Sequence, residues 1–168
     1  LQQVERLGRL VSQLLDLSKL ESGTLPLERR PFALKPVIEQ AAREASTNAS
    51  HAADKNVQLQ LSVEPDDLAI LGDPERVHQV LANLLDNAVR HSPDGGEVAV
   101  LADETDGRVR IAVVDEGPGI PANEAERVFE RFYRSDSARA ASDGGSGLGL
   151  AIARWIVDLH GGEIYAET

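Results

Sequence analysis

Asn83-Leu-Leu-Asp86-Asn87-Ala-Val-Arg90-His91 is the stretch on which the reading of this chain turns. Residues four apart stack on one helical face, so a helix here presents Asn83 and Asn87 together, and Arg90 stays on that side. Val77, Val80, Leu81, Leu84, Leu85 and Ala88 form the opposite, apolar face at helical spacing. Asp73 suits an N-cap and Pro74 the first helical position, so the pattern predicts a helix from there to about His91. Ser92-Pro93-Asp94-Gly95-Gly96 then makes a turn. Carboxamide oxygens are hard ligands that suit Mg²⁺, which keeps its waters and takes few protein ligands. A guanidinium supplies fixed donors to phosphate oxygens. A polar helix face in water has the same composition, and this stretch alone does not separate the two.

Two further stretches lie downstream. Segments near 97–103 and 108–115 alternate and read as a hairpin around Asp106-Gly107. The second ends in Asp115-Glu-Gly117-Pro-Gly119, where a carboxylate at a strand end can accept a hydrogen bond from an exocyclic amine such as that of adenine. The glycines let the backbone approach a flat ring. An ordinary strand-ending turn is the other reading. Gly145-Ser-Gly147-Leu148-Gly149-Leu opens a last helix over 148–160, and successive N–H groups there can cradle an anion. No Lys-Ser/Thr follows, so this is no Walker A loop, and the context is wrong for a dinucleotide fingerprint. A flexible linker is the alternative.

The rest of the chain supplies the frame. Residues 1–22 read as an amphipathic helix with Val4, Leu7, Val11 and Leu14 at a/d spacing and Leu10, Leu15, Leu17 and Leu20 widening the stripe. Such a helix either packs on its own domain or dimerises. Residues 22–30 mark a boundary. A short strand is expected at Phe32–Leu34, a helix over 36–50, and strands at Val57–Val63 and Leu68–Leu71. The loop over 116–147 is expected to hold a short helix around 122–132, and Gly162–Ala166 to begin a strand.

Composition narrows the function classes. The 168 residues are 42% apolar, enough for one domain with a proper core. No run of about 18 apolar residues and no signal-peptide order is present, so direct membrane insertion is not expected. The absence of cysteine excludes disulfides and thiolate metal sites, and fits a cytoplasmic chain. A net charge of −11 argues against nucleic acid as partner.

In order and spacing, the three stretches resemble the N, G1 and G2 boxes of the sensor histidine kinase catalytic domain, in the gyrase/Hsp90/histidine kinase/MutL superfamily. Phe129-Glu-Arg-Phe132-Tyr133-Arg134 resembles its F box. The resemblance implies an α/β two-layer sandwich of one mixed β-sheet and three main helices, the Bergerat ATP-binding fold, with an N-terminal helical stub. It implies a remnant of a dimerisation or linker helix at 1–22, a linker at 23–30 and an ATP-binding domain at 31–168 that lacks its last strand. ATP and Mg²⁺ are the implied cofactors. Asn87 would hold Mg²⁺, with Asn83 assisting near the phosphates. Arg90 would contact phosphate and His91 would flank the adenine. Asp115 would accept the adenine amino group, with Gly117, Gly119 and Ile120 shaping the pocket. Residues 120–147 would be the ATP lid, in which Arg134 and Arg139 reach the phosphates. Gly145, Gly147, Leu148 and Gly149 would close its far end. Phe129, Phe132 and Tyr133 would pack the lid, Tyr133 counting with the nucleotide site as well.

The position four before the metal asparagine selects a branch. ATP-hydrolysing relatives carry a Glu there as general base; here it is Asn83. This favours phosphoryl transfer to an imidazole, with a gyrase-type ATPase and a non-transferring regulatory nucleotide-binding subunit as alternatives. None of His51, His78, His91 and His160 sits in the family's acceptor context. The phospho-accepting histidine is therefore expected on a partner, as in a split kinase, or on a removed segment, with a response regulator downstream.

Overall fold

The computed structural model describes the backbone of residues 2–52, 55–136 and 145–168. Its elements are α1 (Gln2–Glu21), β1 (Arg30–Ala33), α2 (Leu34–Ala52), β2 (Gln58–Glu64), β3 (Ala69–Gly72), α3 (Pro74–His91), β4 (Glu97–Thr105), β5 (Arg108–Asp115), a 3-10 turn (Arg127–Phe129) and α4 (Gly149–Leu159). They divide into two compact units, one of residues Glu28–Gly119 and one of Leu1–Leu27 with Ile120–Thr168.

In the unit of Glu28–Gly119, β2 runs parallel to β4 and β4 antiparallel to β5. The register puts Leu59 beside Val98, Leu61 beside Val100 and Val63 beside Ala102. Period-2 alternation turns these side chains to one face, where Leu59, Val63, Val98, Val100 and Ala102 join the core formed with α2 and α3 while Leu61 stays exposed. Leu34, Ile38, Leu85, Val98 and Val100 are fully buried. Burial of side chains of this size contributes about 1.5–3 kcal/mol each. A separate antiparallel pair joins β1 to β3, with Phe32 opposite Ile70. The expected single mixed sheet is thus a three-stranded mixed sheet plus a two-stranded one.

Asp73 sets where α3 begins. Its Oδ1 accepts from the N–H groups of Glu75 and Arg76 at 3.1 and 3.3 Å, and its Oδ2 from Glu28 N–H at 3.1 Å. The capping carboxylate therefore also ties the linker to the helix. Asp73→Ala is expected to destabilise the protein by about 1–2 kcal/mol, the upper part of the N-cap range. A thermal melt unchanged from the parent would contradict this role.

In the other unit, α1 packs on α4, and the 3-10 turn packs there too. Leu17 and Leu20 of α1 are buried, as are Ile152 and Ile156 of α4. Glu21 pairs with Arg131, whose guanidinium lies 5.3 Å from the Trp155 ring. Only the C-terminal part of α1 is covered in this way. Val4, Leu7, Val11 and Leu14, the a/d stripe, are all exposed.

Two expected elements differ. Residues 122–126 form turns and only Arg127–Phe129 is helical, as 3-10. Val128 N–H still bonds Glu124 C=O, but Phe129 and Glu130 take i−3 carbonyls, which tightens the turn and ends it. Gly162–Ala166 carries no strand. Alternating side chains suit a strand there, but a ladder needs a neighbour's backbone, which sequence pattern does not supply.

Candidate functional site

Burial of Leu81, Leu85, Ala88 and Val89 fixes the rotation of α3 and so the direction of its polar side. Asn83, Asn87, Arg90 and His91 are all half-buried along that helix. Among the described residues the Asn87 carboxamide has no hydrogen-bond partner. Arg90 pairs with Asp86 one turn earlier. Partly exposed pairs of this kind are worth about 0–1 kcal/mol, so a phosphate can displace the carboxylate at little cost.

Asp115 ends β5 opposite Val98. Its Oδ1 accepts from Gly117 N–H at 2.8 Å, closing a side-chain turn. A Cβ on Gly117 would lie 2.7 Å from that oxygen and 3.0 Å from the His91 carbonyl oxygen. Glycine suits this position because the loop after β5 lies directly against the last residue of α3, and a side chain here would crowd the Asp115 carboxylate. That contact brings the strand-end carboxylate to the helix that carries the asparagines. Glu116 accepts from Glu97 N–H at 2.8 Å and holds the loop to the start of β4. Gly119 follows with φ +76°.

The remaining expected residues belong to the unit of Leu1–Leu27 and Ile120–Thr168. Ile120 is half-buried and its carbonyl accepts from the Thr168 hydroxyl. Phe132 N–H donates to Gly147 C=O at 2.9 Å, joining the aromatic segment to the glycine loop. Gly147 has φ +72°, and a Cβ there would lie 2.7 Å from the Phe132 carbonyl carbon. Phe132 itself has φ +59° and is 61% exposed. This corrects the expectation that it packs the loop, because the left-handed turn directs its side chain outward. Phe129 is buried as expected. The Tyr133 ring faces the Arg127 guanidinium at 4.7 Å. Desolvation, with Glu124 beside it, raises the phenol above its ordinary pKa, so it stays a neutral packing group. Arg134 is half-buried, and Arg139 lies outside the described residues. Ser146 Oγ accepts from Leu148 N–H at 3.2 Å and donates to Gln13 of α1 at 2.7 Å. Gly145 and Gly149 flank this point, and Leu148 is buried beneath it.

Two residues that sequence reasoning passed over sit at the end of α3. Lys55 Nζ donates to the carbonyls of Arg90 and Ser92 at 2.6 and 2.9 Å. The Ser92 hydroxyl is buried with no hydrogen-bond partner among the described residues. Neither follows from local pattern, since Lys55 is 35 residues from Arg90. Two of the other histidines are in structural settings. His78 faces Glu44 at 3.0 Å, and His160 Nδ1 lies 2.8 Å from the Ile156 carbonyl oxygen of its own helix.

Among the described residues no group of three or more His, Cys, Asp or Glu side chains could hold a metal. A cation at Asn87 would therefore take most of its oxygens from a phosphate chain and water, which suits Mg²⁺. None of the described helices is long and apolar enough to cross a membrane.

Residues 72–168 match the family described as histidine kinase-, DNA gyrase B-, and HSP90-like ATPase. Over 164 residues, 98% of the chain, the sequence is 37% identical to the signal transduction histidine-protein kinase BaeS of Escherichia coli K12, covering 34% of that protein. It is 41% identical over 166 residues, 99% of the chain, to the probable sensor histidine kinase TcrY of Mycobacterium tuberculosis, again covering 34%. The chain thus spans about a third of the length of these curated relatives. Among solved structures, a mycobacterial sensor histidine kinase MprB is similar with TM-score 0.70 and 34% identity, over 82% of this chain and 83% of that one. Full-length ShkA in complex with AMPPNP is similar with TM-score 0.80 and 31% identity, over 94% of this chain and 32% of that one.

Proposed function

This chain belongs to the histidine kinase-, DNA gyrase B- and HSP90-like ATPase family, among the sensor histidine kinases, and from that premise we propose that it binds ATP with Mg²⁺ and donates the γ-phosphoryl group to a histidine that is none of its own four. One observation carries the reading: the Asp115 carboxylate and Gly117 lie against the last residue of α3, the helix that bears Asn83 and Asn87. In this reading Asp115 accepts from the adenine amino group through its second oxygen, and His91 borders the ring. Asn87, assisted by Asn83, holds the Mg²⁺ that accompanies the phosphates. Arg90 exchanges Asp86 for phosphate oxygens. The bond between the γ-phosphorus and the bridging oxygen breaks, ADP leaves, and a phosphorus–nitrogen bond forms with the acceptor imidazole. The chain's contribution is positioning and charge neutralisation. A neutral Asn83 where hydrolases carry a general base disfavours attack by water.

The acceptor histidine belongs to a helical dimerisation domain, and the phosphoryl group passes on to a response regulator. The exposed stripe of Val4, Leu7, Val11 and Leu14 suits a helical partner surface. ATP use places the chain in the cytoplasm.

The test is incubation with γ-labelled ATP, alone and with a histidine-bearing helical domain of a sensor kinase. Acid-labile label is expected on the added domain and none on this chain. Label on this chain would place the acceptor among its four histidines. Binding without transfer would favour a regulatory nucleotide-binding subunit, and phosphate release without any partner a gyrase-type ATPase.

A further inference from the structure

We propose that Lys55 is a positioning residue for nucleotide binding: its ammonium pins the carbonyl end of α3 and so holds His91 and the Asp115–Gly117 turn in register. The inference rests on the nucleotide-binding reading above, and adds a residue that lies outside all three glycine- and asparagine-bearing stretches.

The carbonyls of a helix's last turn have no intrahelical partner and carry the negative end of its dipole. In α3 the final capping bond runs from Ser92 N–H to Ala88 C=O at 2.9 Å. Beyond it, the carbonyls of Arg90 and Ser92 are both taken by Lys55 Nζ, at 2.6 and 2.9 Å in a partly buried setting. A cation with several donors suits this place, since it neutralises the dipole and bonds two carbonyls at once. The next residue continues the lacing. Asn56 N–H donates to Asp94 Oδ1 at 2.9 Å, and Asn56 C=O accepts from Gly95 N–H at 2.7 Å. Gln58 N–H then bonds Gly96 C=O at 2.9 Å, where β2 begins.

His91 lies between the two carbonyls that Lys55 binds. Its own carbonyl oxygen and Cβ form the wall against which Gly117 is packed, 3.0 and 3.3 Å from where a Cβ would sit. Gly117 N–H in turn orients Asp115. Displacing the carbonyl end of α3 therefore moves the adenine side of the site, although Lys55 reaches it only through backbone. Without the ammonium, two partly buried carbonyls lose their donor, and the last turn of α3 is free to fray.

The experiment compares Lys55→Met, Lys55→Arg and Lys55→Gln with Lys35→Met. The control removes a surface lysine that bonds Asp66 at 2.7 Å. AMPPNP–Mg²⁺ binding is titrated by calorimetry. Amide ¹H–¹⁵N spectra of the nucleotide-free proteins report on His91, Ser92 and Gly117, and thermal melts report on global stability. Lys55→Met is expected to bind about tenfold more weakly, which corresponds to about 1.4 kcal/mol, and to shift those three amides. Lys55→Arg, which keeps charge and donors, is expected to stay within about twofold of the parent, and Lys35→Met likewise. If Lys55→Met does not fold, Lys55→Gln carries the comparison. Affinity within about twofold of the parent in both uncharged variants, with unshifted amides, would overturn the proposal. So would loss in Lys55→Arg equal to that in Lys55→Met. A parent that fails to bind AMPPNP sinks the nucleotide reading, whereas the amide shifts still report whether Lys55 holds His91 and Gly117.

Discussion

Asp115→Ala is expected to reduce ATP affinity by at least about a hundredfold while the protein remains folded. A site built to hydrogen-bond a polar ligand group discriminates strongly when that bond is lost, by factors of roughly 10⁴ or more in well-formed cases. Asp115 has one oxygen committed to Gly117 N–H at 2.8 Å, which leaves the other for a ligand amine. Alanine deletes the acceptor and the turn together, so a second variant separates the two roles. Asp115→Asn keeps an oxygen for Gly117 but turns an NH₂ toward the adenine amine, donor against donor. Asparagine is therefore expected to bind at least about tenfold more weakly than the parent, a step of about 1.4 kcal/mol, with the turn retained. Calorimetric titration with ATP and with GTP reads both variants. Parent-like affinity in Asp115→Ala would remove the basis for the adenine assignment.

Asn87→Ala is expected to abolish the Mg²⁺-dependent part of nucleotide binding. The informative measurement is affinity with Mg²⁺ and with chelator, in parent and variant. The parent should bind more tightly with Mg²⁺, and the variant should show the weaker affinity in both conditions. The loss at saturating Mg²⁺ should reach at least the roughly 10–100-fold that outer partners of metal sites contribute. Alanine is the better helix former, and the Asn87 carboxamide has no partner to lose among the described residues. A lowered melting temperature is accordingly not expected, and weakened binding cannot be traced to unfolding. A variant that still gains affinity from Mg²⁺ would show that the cation is held elsewhere.

Much of the architecture was readable in advance because it depends on local rules. Asp73 and Pro74 announced the start of α3, and the structure puts the cap bonds there. Asp106-Gly107 announced the hairpin, and Asp106 and Gly107 both take positive φ, at 54° and 73°. Alternation marked β2, β4 and β5, although β4 extends to Thr105. The misreadings have one physical source. Residues 122–132 contain helix-favouring side chains, but the segment turns before a regular helix can form. Gly162–Ala166 alternates, but alternation cannot provide a neighbouring strand. The aromatic pattern likewise did not reveal that Phe132 faces outward, since its positive φ belongs to a turn joined to Gly147, fifteen residues away.

The opening stretch marks the boundary between what the chain announces and what folding adds. Sequence alone determined that Asn83 and Asn87 share a helical face, because helical periodicity is a local property of the backbone. The family resemblance adds that Asn83 stands where hydrolysing relatives place a Glu. Only the tertiary structure decided that Gly117 lies tightly against His91, that Asp86 holds Arg90, and that Lys55 caps the carbonyl end of α3. The Gly117 and Lys55 contacts join residues 26 and 35–37 positions apart, and such pairings are set by how α2, α3 and the sheet pack rather than by any short-range pattern. Asp86 and Arg90 are one turn apart, but periodicity only permits that pair, and the folded side chains select it.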